Sequence, residues 1–203
     1  YFCAPESGMT SLFKPNLKAL KFFNNFEEFG KVHVVESVQT AKLDNIQGLR
    51  SPNFLKMDVQ GAELTILKNG IKTLKDCVAI QLEVSYLPLY ENQPTFGEVD
   101  VFMRSIGFAP HCFLEVKRWS ITPTLFNGNF RKPGNQLLES DIVYIKNPLN
   151  INAVNNIQLK KMVLLSHFCF KSYDLCVWLL LQLEKRNILK MGSHKYYLKA
   201  LSA

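Results

Sequence analysis

This chain of 203 residues is short of the signals that mark most small functional modules. It has no CxxC pair. Its five cysteines, Cys3, Cys77, Cys112, Cys169 and Cys176, are odd in number and widely spaced. That argues against a disulfide framework or a structural zinc site and for buried free thiols in a reducing cytosol. The four histidines form no HxxxH or HxH pair, so they read as packed or surface residues rather than metal ligands. No apolar run approaches the ~20 residues of a spanning helix. The greasiest stretch, Leu175 to Leu181, is bounded by Asp174 and Gln182 and reads as a packed helix. No secretory leader is legible. The chain opens on Tyr1-Phe2-Cys3 without a Met, which suggests a start removed by processing or truncation. No glycine-rich loop follows a strand, since Gly8, Gly30, Gly48 and Gly61 stand alone. No internal repeat is present.

What is present is a core-forming composition. Apolar residues make up 47% and charged residues 20%, which excludes disorder, and nine prolines with ten glycines exclude a collagen-like chain. The length suits one domain, or one with an appendage. Charge is uneven. Residues 1–146 carry 16 basic against 15 acidic side chains, and residues 147–203 carry 8 against 2. A basic tail can face nucleic acid, an anionic membrane or an acidic partner, although a solvated helix face is the plainer reading. Without an RNA-binding aromatic signature or zinc-finger spacing, nucleic acid is not the expected partner.

The pattern along the chain is α/β. Residues 1–16 read as irregular, punctuated by Pro5, Gly8 and Pro15. Leu17, Leu20, Phe23 and Phe26 recur at helical spacing, and the β-branched content of 32–38 favours a strand. The clearest segment is Asn53 to Glu63: a short apolar run ends in Asp58 and turns at Gly61. Leu64, Leu67, Ile71 and Leu74 then mark one helical face, with Asn69-Gly70 as a break or cap. Val78 to Val84 is a second apolar run, closed by Glu83. Strand, helix and strand in about 30 residues form a βαβ unit and hence a parallel sheet. A helix over 95–106 follows. Strands over 108–119 and 141–146 come next, with a polar loop between them. From Asn156 the chain reads as an α-hairpin broken near Ser172-Tyr173.

Asp58 and Glu83 each close a buried strand. In open parallel sheets ligands bind beyond those strand ends, and adjacent strands lie about 5 Å apart. Two carboxylates at one crevice suit a general base, a cation site or a clamp on a positive ligand. A helix cap or turn-stabilising carboxylate is the structural alternative. Glu63 also suits the positive end of a helix dipole, and Gly61 permits a sharp turn.

The run Phe54-Leu55-Lys56-Met57-Asp58-Val59-Gln60-Gly61-Ala62-Glu63-Leu64, followed by Leu67-Lys68, resembles the hallmark of FkbM-type methyltransferases that use S-adenosylmethionine. Thr40 to Asp44, Ser11-Leu12, Gln81 to Ser85, Leu89-Tyr90 and Gly107-Phe108 resemble further segments of that family, over residues 8–146. The resemblance implies a partial Rossmann-like class I methyltransferase sheet with a C-terminal helical extension. Asp58 would close its fourth strand and Glu83 its fifth, with the glycine-rich cofactor loop before Tyr1. Residues 1–147 are then expected to be the C-terminal part of a methyltransferase domain, and the chain of residues 1–203 is expected to bind S-adenosyl-L-methionine weakly or not at all. Residues 148–203 form a basic helical extension.

The implied activity is methyl transfer to a hydroxyl of a glycan or natural product, in the cytoplasm. The implied catalytic residues are Asp58 and Glu83. Cofactor-binding candidates are Asp58, Gln60, Gly61 and Glu63. Tyr86, Tyr90, Arg118 and Trp119 are candidates to line the acceptor side. A divalent metal is compatible with these acids but not required, and no metal ligand is assigned. The apolar positions of the tail, among them Leu164, Phe168, Trp178 and Leu183, either pack on the body or pair two subunits in a homo-oligomer. Two competing readings are a non-catalytic remnant or binding module that kept the fold, and a salt-sensitive nucleic-acid binder using the tail.

Overall fold

A computed structural model describes residues 1–202. In chain order its elements are α1 (Leu17–Phe22), α2 (Phe26–Phe29), β1 (Phe54–Met57), α3 (Glu63–Lys68), β2 (Ala79–Ser85), α4 (Phe96–Ser105), β3 (Phe108–Trp119), β4 (Gln136–Lys146), α5 (Asn156–Phe168), α6 (Tyr173–Lys185) and α7 (Ser193–Leu201). The two apolar runs that close on acids pair in parallel, with Phe54 opposite Ala79 and Met57 opposite Leu82. The sheet order is β1-β2-β4-β3, and β4 runs antiparallel to both of its neighbours.

Side chains alternate between the faces of a strand, so each strand serves two environments. Ile80, Leu82 and Val84 of β2 face Leu64 and Leu67 of α3 and Val99 and Met103 of α4. Ala79, with Val143 and Ile145 of β4, faces the other way. There it shares a core with Leu159 and Met162 of α5 and Leu179 and Leu183 of α6. The C-terminal helices thus pack on the sheet. Further along that second face the pattern turns polar, through Gln81 and Glu83 on β2 and Asp141 and Glu139 on β4. The N-terminal segment covers the neighbouring end with Leu20, Phe23 and Phe26 against Leu89, Tyr90 and Leu138.

Local chemistry sets several boundaries. Thr95 and Glu98 form a reciprocal capping box that starts α4, and Asn155 and Gln158 do the same for α5. The expected helix over 17–29 divides because Asn25 adopts a left-handed conformation (φ 66°) between α1 and α2. The helix expected to reach Leu74 ends at Lys68, at the Asn69-Gly70 break. The strand expected over 32–38 does not form. Only Val34 bridges, to Phe2, and residues 31–42 lie exposed. Strand propensity is realised only against a partner strand, and that stretch lacks one. β4 starts at Gln136, five residues before the expected Asp141, because β3 extends alongside it as far as Trp119. A third C-terminal helix, α7, follows the expected pair. No helix among the described residues is long and apolar enough to cross a membrane.

Candidate active site

The turn after β1 builds the site. Gln60 takes a left-handed conformation (φ 52°) and Gly61 follows at φ 103°, so the chain reverses sharply between β1 and α3. A side chain at Gly61 would press on Phe13 and Gln93 at 3.2 Å as well as straining the backbone. Two further bonds pin the turn. Ser11 Oγ donates to the Gln60 carbonyl at 2.7 Å, and the Val59 N–H donates to Glu63 Oε1 at 3.0 Å. Burial raises the Glu63 carboxyl above its ordinary value, and its hydrogen bonds oppose that shift.

The turn aims the Gln60 amide at the two strand-end acids. Its Nε2 donates to Asp58 Oδ1 at 2.9 Å and to Glu83 Oε2 at 2.8 Å. Its Oε1 accepts from the buried Tyr90 hydroxyl at 2.9 Å, and the same hydroxyl lies 3.2 Å from the Met9 carbonyl. Both amide protons and the amide oxygen are engaged, which fixes the orientation of the group. On the far side of Glu83, Lys117 of β3 lies 3.6 Å away while holding Glu139 of β4 at 2.7 Å. The Glu83 side chain is 11% exposed. Burial, then the charges of Glu139 and Asp58, push its carboxyl up to about 8 against the opposing pull of Lys117. Burial works against the charge of Lys117, but the Glu139 hydrogen bond and the two carboxylates outweigh it and keep the ammonium protonated.

A cleft of about 390 Å³ opens beside this network, with Asp58, Gln60, Glu83, Lys117 and Glu139 on its polar side and Phe26, Phe29 and Trp119 on its aromatic side. Trp119 is held edge-on to Phe26 at 5.2 Å, and its Nε1 donates to the Asn24 carbonyl at 2.8 Å. A second cleft, of about 320 Å³, lies on the other side of Asp58 and Gln60. It is lined by Tyr1, Phe2, Ser11, Glu36, Ala62 and Ile66 among others. Leu12, Ala62 and Ile66 also border a third, largely apolar hollow of about 450 Å³ that runs to Thr40, Leu43 and Ile46. Asp58 and Gln60 therefore stand between two clefts. Among the described residues, no group of three or more His, Cys, Asp or Glu side chains is placed to hold a metal ion.

Of the residues singled out from sequence, Asp58, Gln60, Glu83 and Trp119 come together at the first cleft. Tyr90 is buried behind it and reaches it through Gln60. Glu63 and Gly61 hold the turn and line neither cleft. Tyr86 lies apart, with its hydroxyl 2.9 Å from Ser140 Oγ and its ring against Phe96. Arg118 is exposed, without an ion pair or side-chain hydrogen bond among the described residues. Lys117, Glu139, Phe26 and Phe29 escaped the sequence reading. A bulge between Lys117 and Arg118 breaks strand alternation there, so no spacing rule selects the lysine. Glu139 lies in a segment read as loop, Phe26 reads as an apolar helix-face position and is indeed a buried core residue, and no pattern singles out Phe29.

The sequence family described as methyltransferase FkbM domain matches the chain over residues 1–110. No curated protein and no solved structure matches it.

Proposed function

Because the chain belongs to the FkbM methyltransferase domain family, we propose that its clefts serve methyl transfer from S-adenosylmethionine to a hydroxyl of a small-molecule or glycan acceptor. The observation that carries this reading is the pair of carboxylates, Asp58 and Glu83, joined by one amide at the ends of adjacent parallel strands and facing an aromatic-walled cleft. The sheet order, with one antiparallel strand between two parallel ones, supports a Rossmann-like class I arrangement.

The second cleft and the apolar hollow beside it suit the cofactor in chemistry. Their polar end offers the carboxylates of Asp58 and Glu36, which favour a cationic sulfonium and ammonium, and Leu43 and Ile46 offer an apolar wall for a base. S-adenosylmethionine, when bound, supplies a methyl group on a positively charged sulfur that departs as a neutral thioether. The protein's own work is alignment and proton handling. Holding two reactants in register is worth about 7–11 kcal/mol in favourable cases.

Trp119 and Phe29, backed by the buried Phe26, form an aromatic wall on which a sugar or ring can stack, and they exclude water from one side of the cleft. Glu83 takes the acceptor hydroxyl's proton as the oxygen forms its new bond to carbon. A base near neutrality contributes about 10²–10⁴-fold, and a carboxyl pushed up to about 8 is poised for that role. Lys117 and Gln60 keep the ionised form of Glu83 accessible, through charge and hydrogen bonding respectively. Asp58 stays at the junction of the clefts to face the positive sulfur.

The test is Asp58→Asn in the complete native polypeptide, assayed by transfer of a radiolabelled methyl group. The expected result is loss of turnover with an unchanged thermal transition. Near-normal turnover would overturn the assignment.

A further inference from the structure

The C-terminal helices leave one face uncovered. On α5, Leu159, Met162 and Ser166 turn inward and are buried. The opposite side carries Ile157, Leu164 and Phe168, which are 66%, 57% and 71% exposed. Their spacing puts them on one stripe of the helix, and Lys160 and Lys161 flank the same stripe. Lys171 follows in the exposed connection to α6. None of these three lysines forms an ion pair among the described residues.

The C-terminal segment itself holds almost no opposing charge. Beyond residue 146 the only acids are Asp174 and Glu184. Glu184 is buried, where it accepts from the N–H groups of Gly192 and His194 and so fastens α7 to α6. Asp174 accepts from Ser172 Oγ at 2.9 Å. The unit therefore shows large apolar side chains set among unpaired lysines.

We propose that this stripe of α5 docks the protein on an anionic lipid surface. A bilayer interface takes both halves of the pattern: apolar side chains enter the acyl boundary while lysine stems lie along it with their ammonium groups at the headgroups. Charge complementarity decides against a second copy of the chain, because self-pairing of the stripe would set two lysine-rich segments together, each with 8 basic against 2 acidic side chains over residues 147–203. A nucleic acid would satisfy the lysines and leave Ile157, Leu164 and Phe168 without a role.

The experiment is co-sedimentation of the 203-residue chain with vesicles of phosphatidylcholine containing about a third phosphatidylserine, compared with phosphatidylcholine alone. Binding to the anionic vesicles should be at least about tenfold tighter, and it should weaken at about 0.5 M salt. Each lysine near a charged surface is worth about fivefold, so Lys160→Glu with Lys161→Glu should lower binding by about 25-fold or more. Leu164→Ser with Phe168→Ser should lower it by about tenfold while leaving the circular-dichroism melt in place.

Equal binding to both vesicle types, or none at millimolar lipid, would overturn the proposal. So would unchanged binding by the Leu164→Ser, Phe168→Ser pair, which marks a purely electrostatic contact suited to nucleic acid or an acidic protein. A concentration-dependent dimer in sedimentation velocity, lost with that same pair, would assign the face to a second copy instead.

Discussion

Glu83→Gln should stabilise the fold in alkaline solution while removing the group assigned as base. The Glu83 carboxyl sits at about 8 in the folded protein, against an ordinary value of 4.5, because burial and then the charges of Glu139 and Asp58 disfavour its ionised form. As pH rises the unfolded chain therefore releases this proton first. The contribution of Glu83 to stability is intact below pH 4.5, declines between 4.5 and about 8, and stays lost above that. At about 1.36 kcal/mol per pH unit the whole loss has a ceiling of about 5 kcal/mol. Glutamine has nearly the same shape, keeps an oxygen for the Gln60 amide and has no proton to lose. The variant should exceed wild type by under about 1 kcal/mol at pH 5 and by about 4 kcal/mol at pH 9. Urea unfolding followed by far-ultraviolet circular dichroism at both pH values measures the two gaps. A gap at pH 9 no larger than at pH 5 would refute the reasoning, since Glu83 would then ionise as readily in the fold as outside it.

Gly61→Ala should lower unfolding free energy by about 1–3 kcal/mol in urea, since it forces a side chain into a left-handed position and against Phe13 and Gln93. Tyr90→Phe removes a buried hydroxyl from Gln60 and should lower stability by about 1–3 kcal/mol in the same assay. Arg118→Ala should stay within about 0.5 kcal/mol of wild type, whereas Trp119→Ala should lose about 3–5 kcal/mol; comparable losses for the two would contradict their placement.

Much of the sheet was legible because it rests on local pattern. The runs ending at Asp58 and Glu83 were short, apolar and separated by a helical face, and they pair in parallel with both acids at the same cleft. The run Asp58 to Glu63 is equally local: its sharp turn needs Gly61, and its hydrogen bonds span only a few residues. The segment 32–38 misled because β-branched content describes a preference and a strand needs a partner. Tyr86 and Arg118 suit the expected crevice by residue type alone, and type says nothing of which way a side chain turns.

Chain order and hydrophobic spacing determined the alternation of strands and helices, the turn at Gly61, and the presence of an acid at the end of each parallel strand, since each depends on neighbours within a few residues. Only the tertiary structure decided that Gln60, beside Asp58, reaches Glu83 across 23 positions and that Lys117, on a bulged strand, stands between Glu83 and Glu139. It also turned Tyr90 into a support for the Gln60 amide and set a stripe of α5 outward among lysines. Those arrangements depend on strand register, on bulges and on which helix face finds a core. All three are settled by packing between segments distant in the chain.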